Sequence, residues 1–137
     1  MSDFRVLVTG SRDWSDRDAV FEALDRVYIF LAGKKRVVVI HGAARGADSL
    51  AQQWFVDRLE QGWHVTEDAY PADWIKFGKS AGPIRNLDMV ASGADICLAF
   101  PEGKSIGTRH CMKAAQAAGI QVMEFNRDGF LARPVET

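Results

Sequence analysis

The most constraining feature of this chain is an alternation. Short runs rich in β-branched residues are separated by longer stretches whose apolar residues recur at helical spacing. βαβ units on a parallel sheet need that alternation. The run from Val37 to Ile40 is aliphatic throughout, as expected of a strand covered on both faces. Strands are expected over residues 5–9, 37–41, 63–68, 95–99 and 121–125, with four helices between them. The fold class is therefore α/β: a doubly wound parallel sheet of about five strands, order 3-2-1-4-5, with helices on both faces.

The first helix carries Ala19, Val20, Ala23, Leu24, Val27 and Tyr28 on one face, with Ser15 and Asp18 set out as a capping box. The second presents Leu50, Ala51, Trp54, Phe55 and Leu59, the third is expected to begin at Pro83, and the fourth to follow Thr108. Gly33, Gly62, Gly93 and Gly119 stand just past the last periodic residue of each helix, where a left-handed cap suits glycine. No repeat or linker interrupts the 137 residues, so one domain is expected, with a polar tail from about Ala132.

Charge narrows the function classes. Seventeen basic and eighteen acidic residues give a net charge of −1, without the basic excess of a duplex-coating protein, so nucleic acid is not the expected partner. No run of roughly 18 apolar residues and no export signal is visible, so a cytoplasmic protein free of the membrane is expected. Cys97 and Cys111 read as two buried thiols.

Ligands of open α/β sheets bind at the carboxyl edge, where strand order reverses. The loops that meet there are TGSRDW (residues 9–14), GAARGAD (42–48), the long stretch 69–82, and FPEGKSIGT (100–108). They and the helix starts bring Arg12, Arg45, Lys76, Lys79, Arg85, Lys104 and Arg109 to one rim, against Asp13, Asp48, Asp73 and Glu102. Glycine turns at helix N-termini beside arginines suit a compact anion such as a phosphate. Trp14, Tyr70, Trp74 and Phe77 are the rim aromatics able to stack on a base.

Neither GxGxxG nor GxxxxGK[ST] occurs, which demotes both standard phosphate-loop families. Arg85, placed in the first turn of a helix, is unfavourable beside the positive dipole end and so favours an anion partner. Asp48 serves equally well as a helix cap or as a ribose contact, and Asp73 as a turn cap or as a site residue. His41, His64 and His110 lack metal-ligand spacing, so no metal is expected, and Ser11 lacks the nucleophile elbow.

The segments VLVTGSRDW, VIHGAARGADSLAQQW, YPADWIKFGKSAGPIRNLDMV and LAFPEGKSIGT, in that order, resemble the SLOG superfamily of Rossmann-like nucleotide-binding domains, most closely its small YspA-like, cpYpsA-related branch. The resemblance implies a pocket for a nucleotide or nucleotide-derived ligand. The more distantly similar Lonely Guy phosphoribohydrolases have an arginine at the start of the third helix, matched here by Arg85. They also have a PGGxGT run followed by a catalytic glutamate. Pro101, Gly103, Gly107 and Thr108 match that run only with residues inserted, and His110 stands in the place of the glutamate.

The leading expectation is a sensor or carrier that binds a nucleoside monophosphate or ADP-ribose-like ligand. Gly10, Ser11, Arg12, Trp14, Gly42, Arg45, Gly46, Asp48, Asp73, Trp74, Arg85, Asn86, Pro101, Gly103, Gly107 and Thr108 are its candidate contacts. An N-glycosidic hydrolase is the alternative, with Arg85, Glu102 and Asp73 as candidate catalytic residues. A third reading is an interaction subunit that forms a homo-oligomer through exposed aromatic or helical surface.

Overall fold

The computed structural model describes residues 2–126 and 131–135. Along the chain lie β1 (Asp3–Gly10), α1 (Arg17–Leu31), β2 (Arg36–His41), α2 (Ala47–Glu60), β3 (Val65–Ala69), the short α3 (Trp74–Phe77) running into a 3-10 turn (Gly78–Ser80), α4 (Ala81–Ala91), β4 (Ile96–Phe100), α5 (Ile106–Ala117), β5 (Gln121–Phe125) and β6 (Leu131–Val135). The strand order is β3-β2-β1-β4-β5-β6. The first five strands are parallel, in the expected order, and β6 joins antiparallel beside β5.

Alternation along the central strands sends neighbouring side chains to opposite faces. Val6, Val8, Val37, Val39, Leu98 and Phe100 pack with Val20, Leu24, Ala51 and Trp54 of α1 and α2. Leu7, Val38, Ile40, Cys97, Ala99 and Val122 pack with Met89, Val90, Cys111, Met112 and Ala115 of α4 and α5. Both faces are thereby covered. Gly33, Gly62, Gly93 and Gly119 all take positive φ just beyond a helix. Among the described residues, no helix is long and apolar enough to cross a membrane.

Several boundaries differ from the sequence expectation. Asp16 rather than Ser15 caps α1, accepting from the Ala19 amide at 3.1 Å. Trp63 precedes β3 instead of opening it, because its amide donates to the Arg58 carbonyl of α2 at 2.9 Å, while its ring stacks on Tyr28 at 4.4 Å and meets Trp54 edge-on. α4 begins at Ala81, so Pro83 lies inside its first turn, where a missing N–H costs no intrahelical bond. α5 begins at Ile106 and contains Thr108. The expected tail from Ala132 instead belongs to β6, whose backbone pairs with β5 from Leu131 to Val135. An edge strand tolerates the missing donor of Pro134.

Candidate functional site

The carboxyl ends of β1, β2 and β4 and the starts of α4 and α5 enclose an open cleft of about 770 Å³. Of the candidate contacts, Gly10, Ser11, Arg12, Arg45, Asp48, Trp74, Arg85, Asn86, Gly103, Gly107 and Thr108 line it, as does Glu102. A smaller adjoining hollow adds Gly42 and shares Arg12, Arg45, Trp74 and Arg85 with the main cleft. Arg45 and Arg85 therefore face one shared space.

The local chain explains how each group gets there. Gly10 ends β1 where a Cβ would fall 2.4 Å from the Cβ of Ala47 and 2.9 Å from the Phe100 carbonyl. Its lack of a side chain thus serves the packing of α2 against β1 and β4, rather than a ligand. Gly46, at φ 81°, lies against the carbonyl of Ser11. The same carbonyl accepts from the amides of Trp14 and Ala47 at 3.2 Å each, which ties the first two rim loops together.

α4 supplies the polar centre. Arg85 lies in its second turn, not its first as expected, because α4 starts earlier than Pro83. The guanidinium donates through Nη1 to the Gly42 carbonyl and through Nε to Asn86 Oδ1 at 2.9 Å. A Cβ on Gly42 would fall 2.4 Å from Nη1, so only glycine leaves room for that seat. Asn86, buried, also donates from Nδ2 to the Gly107 carbonyl at 3.1 Å and reaches His110 Nδ1 at 3.3 Å. One side chain thereby joins Arg85, α4 and α5.

α5 opens at Ser105 in a left-handed conformation with no side-chain cap. Its hydroxyl instead closes the preceding turn, accepting from the Glu102 amide and donating to the Glu102 carbonyl at 2.9 Å. The first-turn amides of α5 lack intrahelical acceptors and carry the positive end of the helix dipole. Ile106, Gly107 and Thr108 sit at the cleft, and nothing lies within 4 Å of a Cβ built on Gly107. Exposed Trp74 flanks the cleft from α3, with the Arg12 guanidinium 5.5 Å from its ring centroid.

Asp48 is the chemically unusual group. Desolvation raises its carboxyl to about 6, against the opposing pull of His41, the Ala44 amide, Arg85 and the Gly42 amide. Oδ2 accepts from the Gly42 and Ala44 amides at 3.1 and 3.4 Å, whereas buried Oδ1 has no partner. Beneath it, His41 Nδ1 accepts from the Ala43 amide, which leaves Nε2 to meet Glu67 at 2.6 Å.

Four candidates stand apart from both hollows. Trp14 is 2% exposed and packs edge-on against Phe100 at 5.3 Å, so its ring belongs to the core and is no rim platform. Asp73 caps α3, accepting from the Lys76 amide at 3.0 Å. Pro101 is buried, and Gly46 backs onto Ser11. Lining residues outside the candidate contacts are Thr9, Ala44, Gly82, Pro83, Met89, Ser105 and Ile106, together with Asp13, Lys79 and Lys104, which their charge places on the rim, and His110, which stands in the place of the glutamate. The turn-forming run from Glu102 to Ser105 signalled some of these, while Met89 emerges only from the packing of α4 on α5. Among the described residues, no group of three or more His, Cys, Asp or Glu side chains is placed to hold a metal ion.

A doubly wound sheet with a cleft over the β1–β4 switch point defines the structural class of α/β proteins that bind ligands at the sheet's carboxyl edge. Within that class the chain belongs to the YspA, cpYpsA-related SLOG family, whose profile matches residues 4–77. It is also similar to the Gene 61 protein of Mycobacterium phage D29, at 52% identity over 122 residues, which are 88% of this chain and 95% of that protein.

Proposed function

We propose that this chain binds a nucleotide or nucleotide-derived small molecule in the β1–β4 cleft, as a sensor or carrier. The observation that carries the reading is the convergence of Arg12, Arg45, Lys79, Arg85 and the α5 N-terminus on one cleft flanked by Trp74. About 770 Å³ is within the range that small-molecule sites occupy. The phosphate lies against the arginines and the α5 amides, and the base has Trp74 to stack on. Two charge-assisted hydrogen bonds of about 1.5–3 kcal/mol each supply a large share of the roughly 8 kcal/mol that micromolar affinity needs.

Isothermal titration calorimetry with AMP, ADP, ADP-ribose and the corresponding guanosine and pyrimidine nucleotides tests the reading. Micromolar binding is expected, weakened about tenfold to a hundredfold by Arg85→Ala. Because Arg85 also holds the Gly42 loop, exposed Arg45→Ala is the companion variant and weakens binding without touching that contact. No nucleotide binding, or binding indifferent to both substitutions, refutes the reading. Mass spectrometry of a co-purifying small molecule would name the ligand.

A second reading, hydrolysis of the ligand's N-glycosidic bond, is favoured by one observation: half-buried Glu102 lines the same cleft. Asp73, engaged as the α3 cap, is the weaker candidate. Release of free base, lost in Glu102→Gln, is the expected signature. No release at high protein concentration removes this reading.

A further inference from the structure

We infer that Asp48 forms a hydroxyl-reading subsite in the floor of the cleft, where its unpaired oxygen accepts a hydrogen bond from the sugar of the bound nucleotide. The inference rests on the nucleotide reading above and specifies which part of the ligand is recognised, and by what.

The two oxygens of Asp48 have different fates. Oδ2 is committed to the loop, accepting from the Gly42 and Ala44 amides. Oδ1 is buried and has no hydrogen-bond partner, the lone side-chain atom in that condition among the described residues. A buried acceptor left unpaired is costly, and such atoms in native proteins call for an explanation. Asp48 lines the cleft, and a bound molecule can supply the missing donor once a small shift of the side chain brings the buried Oδ1 to the cleft surface.

The neighbours cannot. Arg85, from α4, is engaged with the Gly42 carbonyl and Asn86. His41, from β2, is engaged with the Ala43 amide and Glu67. Cys111, from α5, is a thiol pushed up to about 11 by burial, and a weak donor. These are the titratable and charged groups that act electrostatically on Asp48.

The chemistry of the complementary group follows from charge. Above a pH of about 6 the Asp48 carboxyl is ionised and accepts only. A carboxylate repels phosphate, so the anionic end of the ligand lies toward the exposed arginines and α5. The group beside Asp48 must not be anionic and must carry donors, and in a nucleotide the portion next to the phosphate that does so is the sugar with its vicinal hydroxyls.

Calorimetry with paired probes tests this: AMP against 2′,3′-dideoxy-AMP, and ADP against 2′,3′-dideoxy-ADP, at pH 7.5. For the wild-type chain the dideoxy partner is expected to bind about tenfold to a hundredfold more weakly, equivalent to ~1.4–2.8 kcal/mol. Asp48→Asn should collapse that ratio to below about threefold, and on the wild-type chain the ratio should shrink as pH falls through about 6. Equal binding of ribo and dideoxy probes, with Arg85→Ala still weakening both, overturns the Asp48 assignment and leaves the nucleotide reading standing. A ratio preserved in Asp48→Asn, with both probes equally weakened, likewise overturns it, since the residue then only shapes the loop. Failure of every probe to bind overturns both readings. If Asp48→Asn does not fold, the dideoxy comparison and its pH dependence on the wild-type chain decide the matter.

Discussion

Replacing Gly46 by alanine probes the contact that ties the two rim loops together. Gly46 sits at φ 81°, ψ −130°, a combination that residues with a side chain rarely adopt. A Cβ there would lie 2.2 Å from the Ser11 carbonyl oxygen and 2.7 Å from Arg12 Cα. Both are backbone atoms, and the Ser11 carbonyl is further fixed by the Trp14 and Ala47 amides. Backbone strain of about 1–3 kcal/mol and overpacking of about 1–3 kcal/mol together predict a loss of roughly 2–6 kcal/mol. At an unfolding entropy of about 2.1 cal/mol/K per residue, each kcal/mol lowers the Tm of a chain this long by about 3–4 °C, so a fall of roughly 7–20 °C is expected. Circular-dichroism melting measures it. Gly33→Ala is the control: φ is again positive, at 75°, but nothing lies within 4 Å of the added Cβ, leaving only a conformational cost of about 1–2 kcal/mol. If Gly46→Ala melts within about 3 °C of Gly33→Ala, the loops do not meet as described and the steric reasoning is wrong.

Gly42→Ala should behave differently, because its Cβ meets the Arg85 side chain, which can swing away. The expected result is a small change in Tm with a clear loss of nucleotide affinity in calorimetry. Burial alone would raise the carboxyl of Asp25, yet hydrogen bonds from Arg58 and Trp54 more than offset this and hold it below its ordinary value of 3.8. Its contribution to stability is therefore full above pH 3.8 and is lost as pH falls through the lower folded value; urea titrations of wild type and Asp25→Asn should differ at neutral pH and converge in acid. Asp48 carries the opposite sign. With its folded carboxyl raised from 3.8 to about 6, it costs increasing stability as pH rises between those values, so Asp48→Asn should gain stability over wild type across that interval and hold the gain above it.

The parallel part of the sheet was legible because burial on both faces leaves continuous aliphatic strands such as Val37–Ile40, which no surface element tolerates. Its edges were harder. Trp63 looks like a strand opener by residue type, yet its amide is bonded to the Arg58 carbonyl at the end of α2. β6 carries Arg133 and Pro134, which read as tail in one dimension and as an edge strand only once β5 is beside them. α3 escaped because Trp74, Ile75 and Phe77 are exposed and give no inward-facing period. At the cleft, the loops were readable from glycines and arginines, but directions were not. Trp14 and Trp74 both occupy rim loops, and only packing sends the first into the core and leaves the second outside. Asp48 occupies a first-turn position that suits capping and ligand contact equally, and the structure gives its side chain to the preceding loop instead of the helix.

A net charge of −1 says little about this cleft, because the charges are sorted in space. Away from it, three arginines are matched closely: Arg5 with Asp68 at 3.0 Å, Arg36 with Asp3 at 2.9 Å, and Arg58 with Asp25 at 2.9 Å. At the cleft, Arg85 is seated on two uncharged oxygens, Arg12 lies over an indole, and Arg45 meets exposed Asp13 only at 3.7 Å. The exposed pair is worth little, since solvent screens it and two mobile side chains must be ordered to make it. Positive charge is therefore neutralised at these three pairs and left largely uncompensated where the strand order reverses, with Asp48 the buried carboxyl facing it among the described residues. A surface built to attract a long polyanion would spread its cations along an open face. Here they gather around a cleft that the buried Asp48 carboxyl also lines, the complement of a small molecule that is anionic at one end and carries hydroxyl donors beside it.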